Sequence, residues 1–289
     1  MPVAELSGIE IAYDLVGEGQ PWVLTPGGRF TKEIGGLPEM AQALAEHGRQ
    51  VLTWDRPNCG ASSVEFRGRS ESEVQADALG ALLRHLDLGP TVIAGGSGGA
   101  RVSLLAAARH PDVTAGLAIW WISGGVPGLL QLANYYCMPS ADAAWHGGME
   151  AVVELDQWQE VLARNPGNRE RFLSMDREGF LDVMDRWMVA YCPCDDSLVP
   201  GLDDEDVANL SVPILVFRSG VSDMSHTRAT SEALAAGLPG AELVEPPWED
   251  GEWNERRAAA EQEGSLFVRW PRLIPQLIDW ADRTIGSDR

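Results

Sequence analysis

The residues best suited to carry chemistry form a Gly-Gly-Ser-Gly-Gly motif at positions 95–99. The motif joins an apolar run, TVIAGG (91–96), to an Ala- and Leu-rich helix predicted over about 99–109. A G-x-S-x-G motif in that place makes a sharp strand-to-helix turn, which pushes the serine hydroxyl out at the carboxyl edge of a sheet. A phosphate-binding loop is the alternative, but the motif lacks the P-loop lysine and does not follow the first strand. Ser97 is therefore a candidate nucleophile.

The elements around this motif alternate between strands and helices. Alternating or apolar runs predict strands at 8–17, 21–28, 49–55, 91–96, 114–122, 211–220 and 241–247. Helical patterns lie at 37–47, at 99–109, at about 227–237 and near the C-terminus. A further helix is predicted to begin at a capping box formed by Ser70 and Glu73. This alternation indicates a mostly parallel sheet with helices on both faces. The rhythm stops after Gly125, and residues 126–202 resemble helices and turns.

Over almost its whole length, the chain resembles the lidded, intracellular members of the α/β-hydrolase superfamily. Besides the serine motif, the resemblance rests on Thr-Pro-Gly-Gly at 25–28, where such enzymes often carry His-Gly. It also rests on residues 55–62, Asp-Arg-Pro-Asn-Cys-Gly-Ala-Ser, which resemble a D-x-x-G-x-G-x-S segment with Asn58 in place of its first glycine. The resemblance implies an α/β-hydrolase fold, with a core of residues 1–125 and 203–289 and a helical lid of residues 126–202.

The resemblance also implies roles for particular residues. Ser97 would be the nucleophile, and the backbone N–H groups of Gly28 and Gly98 would form the oxyanion hole. Asp223 would be the catalytic acid, since it follows the strand PILVFRSG, where the family has its aspartate. A helix cap is the alternative role for an aspartate in a loop.

The general base is the residue that departs from the family pattern. A serine hydroxyl needs a base at neutral pH, and the family has a histidine after the last strand. Here that loop reads Pro-Pro-Trp-Glu-Asp-Gly-Glu-Trp (246–253), and no histidine follows residue 226. We hypothesise that His226, three residues after Asp223, replaces this base. Capping a helix or binding a polar group of the substrate is the alternative role for His226.

The acidic loop offers a second candidate for the base. Glu249, Asp250 or Glu252 could accept the proton if burial raised the pKa of its carboxyl group toward neutrality. The spacing alone favours a solvated acidic turn at these positions.

Four further residues are candidates for the substrate pocket. Trp120 and Trp121 end a strand that opens toward the site in the family, and His146 lies in the predicted lid. Arg29, next to the oxyanion turn, could hold a carboxylate, although a surface salt bridge is the more ordinary use of such a residue. The aromatic residues favour an apolar or aromatic substrate.

Composition excludes several other classes of protein. The 289 residues include 22 Lys plus Arg against 43 Asp plus Glu, for a net charge of −21. This charge repels nucleic acid and anionic membranes. We expect no membrane span and no secretory signal, and hence a cytoplasmic protein. The four cysteines (Cys59, Cys137, Cys192 and Cys194) are expected to be reduced thiols, with no metal or cofactor implied. A homodimer is compatible with the sequence.

These observations predict a cofactor-free serine hydrolase that acts on a small molecule. The bond cleaved would be an ester, a lactone, an amide or an activated C–C bond. Two alternatives remain open because the fold does not determine the function. One is a non-hydrolytic enzyme on the same scaffold, such as an isomerase, epimerase, cyclase or lyase. The other is a ligand-binding protein that has lost its catalytic residues.

Overall fold

The computed structural model describes residues 1–192 and 199–286. In these residues, eight strands form one sheet: β1 (Val3–Leu6), β2 (Ile9–Val16), β3 (Gln20–Thr25), β4 (Arg49–Trp54), β5 (Thr91–Gly96), β6 (Thr114–Trp120), β7 (Ile214–Phe217) and β8 (Ala241–Val244). Their order across the sheet is β1-β2-β4-β3-β5-β6-β7-β8. The β1–β2 and β2–β4 pairs are antiparallel, and all later pairs are parallel.

The described part of the chain also contains twelve α-helices. They are α1 (Leu37–Glu46), α2 (Glu71–His85), α3 (Gly98–Arg109), α4 (Val126–Tyr136), α5 (Met138–Val153), α6 (Asp156–Arg164), α7 (Gly167–Leu173), α8 (Arg177–Val189), α9 (Asp204–Asn209), α10 (Arg228–Gly237), α11 (Glu252–Glu263) and α12 (Ile274–Thr284). Short 3₁₀ helices lie at Pro111–Val113 and Trp270–Leu273.

The sheet is buried on both faces, because successive side chains of a strand point to opposite sides. In β5, Ile93 belongs to one apolar layer, whereas Val92 and Ala94 belong to the other. The first layer includes residues of α2, α3 and α10, and the second includes residues of α1 and α12. The mostly parallel sheet with helices on both faces that the sequence predicts is therefore confirmed.

Helices α4 to α8 connect β6 to the segment before α9, and we call residues Val126–Val189 the helical insertion. The insertion has its own cluster of buried apolar residues, and Phe66 from the core contributes an aromatic ring to it. Asn168 in α7 is fully buried and accepts a hydrogen bond from the backbone N–H of Val64 at 2.8 Å. Apolar packing and buried hydrogen bonds thus hold the insertion against the core.

The predicted elements lie close to the observed ones, with three omissions, of which the short helix α9 is one, and one change. The sequence interpretation missed β1, a four-residue strand at the edge of the sheet, and α11, which begins in the segment expected to be an acidic loop. At the predicted capping box, Ser70 Oγ accepts the N–H of Glu73 at 3.1 Å. The carboxylate of Glu73 accepts instead from the N–H of Arg69, so only half of the box forms.

Three of the four cysteines lie in the described residues, where Cys59 and Cys137 are buried and Cys192 is exposed. Cys59 and Cys137 are free thiols, and Cys194 lies outside the described residues. No helix of the described segments is long and apolar enough to cross a bilayer. Within the same segments, no group of three or more His, Cys, Asp and Glu side chains is arranged to hold a metal ion.

Candidate active site

Ser97 lies at a tight turn between β5 and α3. Its backbone has φ 58° and ψ −121°, a positive φ that residues other than glycine rarely adopt. The N–H of Ser97 donates to the carbonyl of Trp120 at 3.1 Å, which ties the turn to β6. A Cβ atom at Gly99 would lie 2.1 Å from the carbonyl oxygen of Thr25, so the turn has room only for glycine there. The strained backbone therefore depends on the small residues that surround it.

A chain of hydrogen bonds links Ser97 to a buried carboxylate. Ser97 Oγ lies 2.8 Å from His226 Nε2, and His226 Nδ1 lies 2.7 Å from Asp223 Oδ2. Asp223 Oδ1 also accepts the backbone N–H groups of Ser225 at 2.9 Å and His226 at 2.8 Å. A carboxylate accepts hydrogen bonds only, so Nδ1 carries a proton and leaves Nε2 free to accept the serine proton. This geometry is the one that general-base activation of a serine requires.

Two backbone amides border the space next to Ser97. The N–H of Gly98 opens α3 and has no acceptor within the helix. A Cβ atom at Gly98 would lie 3.2 Å from the backbone nitrogen of Gly28, so the two residues face the same space. Amide donors that converge in this way can stabilise negative charge on a carbonyl oxygen.

Arg56 holds the loop that contains Gly28. It is 1% exposed, and its Nη2 donates to the carbonyl oxygens of Gly27 at 3.2 Å and Gly28 at 2.8 Å. The C=O of Gly27 and the N–H of Gly28 belong to one trans peptide and point in opposite directions. Because Arg56 holds that carbonyl on its own side, the N–H of Gly28 points away from Arg56.

Comparisons with known proteins agree with this architecture. A family model described as alpha/beta hydrolase fold matches residues 26–119. The chain has the α/β-hydrolase fold. No curated protein matches its sequence.

Solved structures resemble this protein over nearly their whole length. An enol-lactonase from Burkholderia xenovorans LB400 is 21% identical with a TM-score of 0.53, covering 92% of this chain and 99% of that chain. MGS-M2, an α/β hydrolase from a Medee basin deep-sea metagenome library, is 20% identical with a TM-score of 0.58, covering 91% and 96%. A thermophilic esterase from Thermogutta terrifontis is 23% identical with a TM-score of 0.54, covering 91% and 97%. At these identities, the likeness concerns the fold.

In this protein, the histidine next to the serine comes from the loop after β7, the same loop that contains Asp223. Aromatic rings pack against two sides of its imidazole. The ring of Trp121 stacks on His226 with centroids 6.0 Å apart, and Trp253 meets it edge-on at 5.0 Å. Trp253 belongs to α11, which follows the loop where the family resemblance implies a histidine. Trp253, from the C-terminal part of the chain, thus packs against the imidazole of His226.

The structure places the three acidic candidates for the base elsewhere. Glu249 and Asp250 are exposed, and Asp250 is paired with Arg228. Glu252 is buried and paired with Arg256, whose guanidinium lies 4.0 Å from the centroid of the Trp121 ring. The hypothesis of a carboxylate base is corrected on this ground, because the Ser97 hydroxyl already faces an imidazole.

Arg256 is itself an unusual residue. Burial and the nearby Arg269 lower the pKa of its guanidinium to about 9. Its Nη1 donates to the carbonyl of Leu266, and Glu252 supplies a negative charge beside it. Arg256 therefore closes the outer side of the tryptophan layer.

Three of the four predicted pocket residues need correction, and Arg29 and His146 are the first two. Arg29 is buried rather than at the surface, and its Nε lies 3.2 Å from Glu71 Oε1. Its Nη2 donates to the carbonyl of Tyr136 at 3.0 Å, so Arg29 joins the core to the helical insertion. His146 has a side chain that is 72% exposed and lies 3.5 Å from Asp142, one helical turn away. It therefore lies on the outer surface of the insertion.

Trp120 and Trp121, at the end of β6, have different surroundings. Trp120 is 1% exposed and packs edge-on against Trp270 with centroids 5.0 Å apart. A Cβ atom at Gly96 would lie 2.2 Å from its indole nitrogen, so Trp120 supports the serine turn from below instead of lining a pocket. Trp121 is also buried, with φ 50°, and acts as a wall behind the imidazole.

Sequence reasoning missed Arg56, Arg101 and Trp253 as residues of the site. Arg101 follows Ser97 by four positions, a spacing that places both residues on the same side of the first turn of α3. That spacing was the one signal in the sequence that could have identified Arg101. Arg56 and Trp253 act through contacts between distant segments, which leave no local pattern.

Proposed function

We propose that this α/β hydrolase is a serine hydrolase that cleaves a small-molecule ester, lactone, amide or activated C–C bond. The observation that carries the proposal is the hydrogen-bonded chain from Ser97 through His226 to Asp223. These contacts favour a catalytic protein over a ligand-binding protein without catalytic residues, because a serine within hydrogen-bond distance of a histidine that contacts a carboxylate is the arrangement that activates a serine.

The acylation step follows from the geometry. Ser97 Oγ attacks the substrate carbonyl carbon while its proton moves to His226 Nε2, and Asp223 stabilises the imidazolium that forms. The carbonyl oxygen becomes an oxyanion, to which Gly28 and Gly98 donate hydrogen bonds. Collapse of this intermediate breaks the bond to the leaving group, which takes the proton from Nε2. Loss of one such donor costs about 10²–10³ in rate.

Water completes the reaction by the same path. It loses a proton to Nε2 as its oxygen attacks the acyl carbon, and the second oxyanion occupies the same two amides. Breakage of the bond to Ser97 Oγ then returns the proton from the imidazole to the serine. In both steps, the negative charge of the oxyanion is held by the backbone amides of Gly28 and Gly98 and not by bulk solvent.

The helical insertion serves as a lid over this reaction in our proposal. Tyr136, at the end of α4, has its hydroxyl 3.2 Å from the position of a Cβ atom at Gly98. An insertion residue thus reaches the edge of the oxyanion hole, and its presence there excludes water from one side. In this proposal the lid consists of residues 126–202, and the core consists of residues 1–125 and 203–289.

The relatives support a hydrolase without identifying the substrate. Two of them are an enol-lactonase and an esterase, and lactones and esters both contain an ester carbonyl that a serine can attack. These two bonds are the first to test.

A fluorophosphonate probe tests the proposal, because it labels activated serines. The intact mass of the wild-type protein should rise by one adduct, and Ser97→Ala and His226→Ala should each abolish labelling. The matched control is His85→Ala, which removes an exposed histidine at the end of α2 and should label like the wild type. Folded wild-type protein that stays unlabelled and inactive on ester and lactone panels would refute the proposal in favour of a non-hydrolytic enzyme.

A further inference from the structure

Arg101 is a buried cation beside the candidate active site. It is 2% exposed, and no described Asp or Glu forms an ion pair with it. Its Nη1 donates to Ser123 Oγ at 2.7 Å and its Nη2 to Tyr191 Oη at 3.4 Å, while its Nε has no partner among the described residues. The hydrogen bonds that Arg101 makes therefore end on neutral hydroxyl groups.

The surroundings of Arg101 differ from those of two other arginines whose side chains are buried, and from those of Arg56, whose Nη2 donates to three backbone carbonyl oxygens. Arg29 is paired with Glu71, and Arg256 with Glu252. Removing a guanidinium from water is costly unless an opposite charge compensates it. The rings of Tyr136 and Tyr191 offer Arg101 only weak cation–π contacts, at 5.7 and 5.4 Å. Among the described residues, no carboxylate compensates the charge of Arg101.

The guanidinium reaches the space where the reaction is proposed to occur. A Cβ atom at Gly98 would lie 3.6 Å from Arg101 Nη2, 3.2 Å from Tyr136 Oη and 3.2 Å from the nitrogen of Gly28. A charged donor, a hydroxyl and an oxyanion-hole amide thus surround the position next to the Cα atom of one glycine. This glycine directly follows Ser97.

We propose that Arg101 and Tyr136 bind a carboxylate that the substrate carries a few bonds away from its scissile carbonyl. The proposal rests on the serine hydrolase function above and names its substrate class as half esters and related acids. A carboxylate supplies the missing counter-charge, and a guanidinium fork matches its two oxygens. The substrate is then anionic near the reacting bond, whereas the aromatic residues of the sequence suggested only an apolar or aromatic one.

Matched pairs of esters test this selectivity. The acidic members are the monoethyl esters of malonic, succinic and glutaric acid, and each neutral partner has an isopropyl group in place of the carboxylate. The wild type should hydrolyse the best acidic ester about 100-fold more efficiently, in kcat/KM, than its neutral partner. Equal efficiencies, or a preference for the neutral ester across the series, would overturn the proposal.

Arg101→Met tests whether this residue causes the preference. It should lower kcat/KM for the best acidic ester about 100-fold while changing that for the neutral partner about 3-fold or less. Fluorophosphonate labelling of Ser97 should persist, which shows that the proton path is intact. The control Arg84→Met removes an exposed arginine and should leave both efficiencies unchanged. An equal loss on both esters would instead assign Arg101 to the oxyanion hole or to the fold.

A binding measurement separates this proposal from the proposed hydrolysis. Titration calorimetry of Ser97→Ala protein with monoethyl succinate and monoethyl glutarate requires no turnover and keeps Arg101 in place. We expect saturable binding of at least one acidic ester and none of its neutral partner at the same concentration. Binding of the acid by a protein that hydrolyses no ester would retain the anion site and refute only the hydrolase. Absence of acid binding would refute the anion site even if Ser97 is labelled.

Discussion

Replacing Asp223 by asparagine is expected to move the ring proton of His226 from Nδ1 to Nε2. Oδ1 of Asp223 accepts two backbone N–H groups, from Ser225 at 2.9 Å and from His226 at 2.8 Å. The carbonyl oxygen of an asparagine has to occupy that position, so its NH₂ group faces His226 Nδ1. Nδ1 must then accept, the ring proton moves to Nε2, and Ser97 loses its base.

The size of the effect follows from the alternatives open to the side chain. Turning the amide around would place its NH₂ group against two buried N–H donors, and each donor left unsatisfied costs about 1–3 kcal/mol. The imidazole therefore adopts the other tautomer. We expect kcat/KM to fall about 10³- to 10⁴-fold, equivalent to about 4–5.5 kcal/mol of transition-state stabilisation.

The assay compares Asp223→Asn with Asp223→Ala on one ester and in fluorophosphonate labelling. The alanine variant removes the carboxylate without supplying a donor, so it should retain at least as much activity as the asparagine variant. Nitrogen-15 NMR of labelled histidine reads which ring nitrogen carries the proton. Activity of Asp223→Asn within about tenfold of the wild type, or a proton that stays on Nδ1, would contradict the reasoning.

Three further predictions concern the supports of the site. Arg56→Met should lower kcat about 10- to 100-fold with a smaller change in KM, because the Gly28 amide loses its orientation. Steady-state kinetics would measure both constants, and a rise in KM at unchanged kcat would contradict this prediction. Arg29→Met should lower the free energy of unfolding in urea by about 3–5 kcal/mol, because Glu71 is left buried without its cation. If the double variant R29M/E71Q loses as much unfolding free energy, the uncompensated charge of Glu71 is not the cause. Burial raises the thiol pKa of Cys59 to about 11 and of Cys137 to about 12. Both therefore stay protonated at pH 8 and should resist iodoacetamide until urea is added, as peptide mapping would reveal.

The sequence by itself determined the order of elements and the place of the nucleophile. Periodicity, caps and glycine turns are local properties, so the strands and helices around Ser97 could be predicted from a few neighbouring residues. The same local patterns identified the loop that holds Asp223. They failed for β1, which is only four residues long, and for α11, whose acidic start resembled a solvated turn.

The tertiary structure alone decided which side chains meet Ser97. His226 is 129 positions away, and only the sheet order brings the loop after β7 to the end of β5. The hypothesis that His226 replaces the usual base rested on its position beside Asp223, and the measured separation is now 2.8 Å. For Arg29 the sequence favoured a surface salt bridge over a carboxylate of the substrate, and the structure pairs its buried side chain with Glu71.

The same limit explains why Arg101 was missed. Its significance comes from the absence of a nearby carboxylate in the described residues and from the closeness of Gly28 and Tyr136, two segments distant in sequence. A sequence shows that a charge exists, but its cost depends on the solvent and partners that the fold leaves around it. Local order thus follows from neighbouring residues, whereas charge, protonation and pocket chemistry follow from contacts across the whole chain.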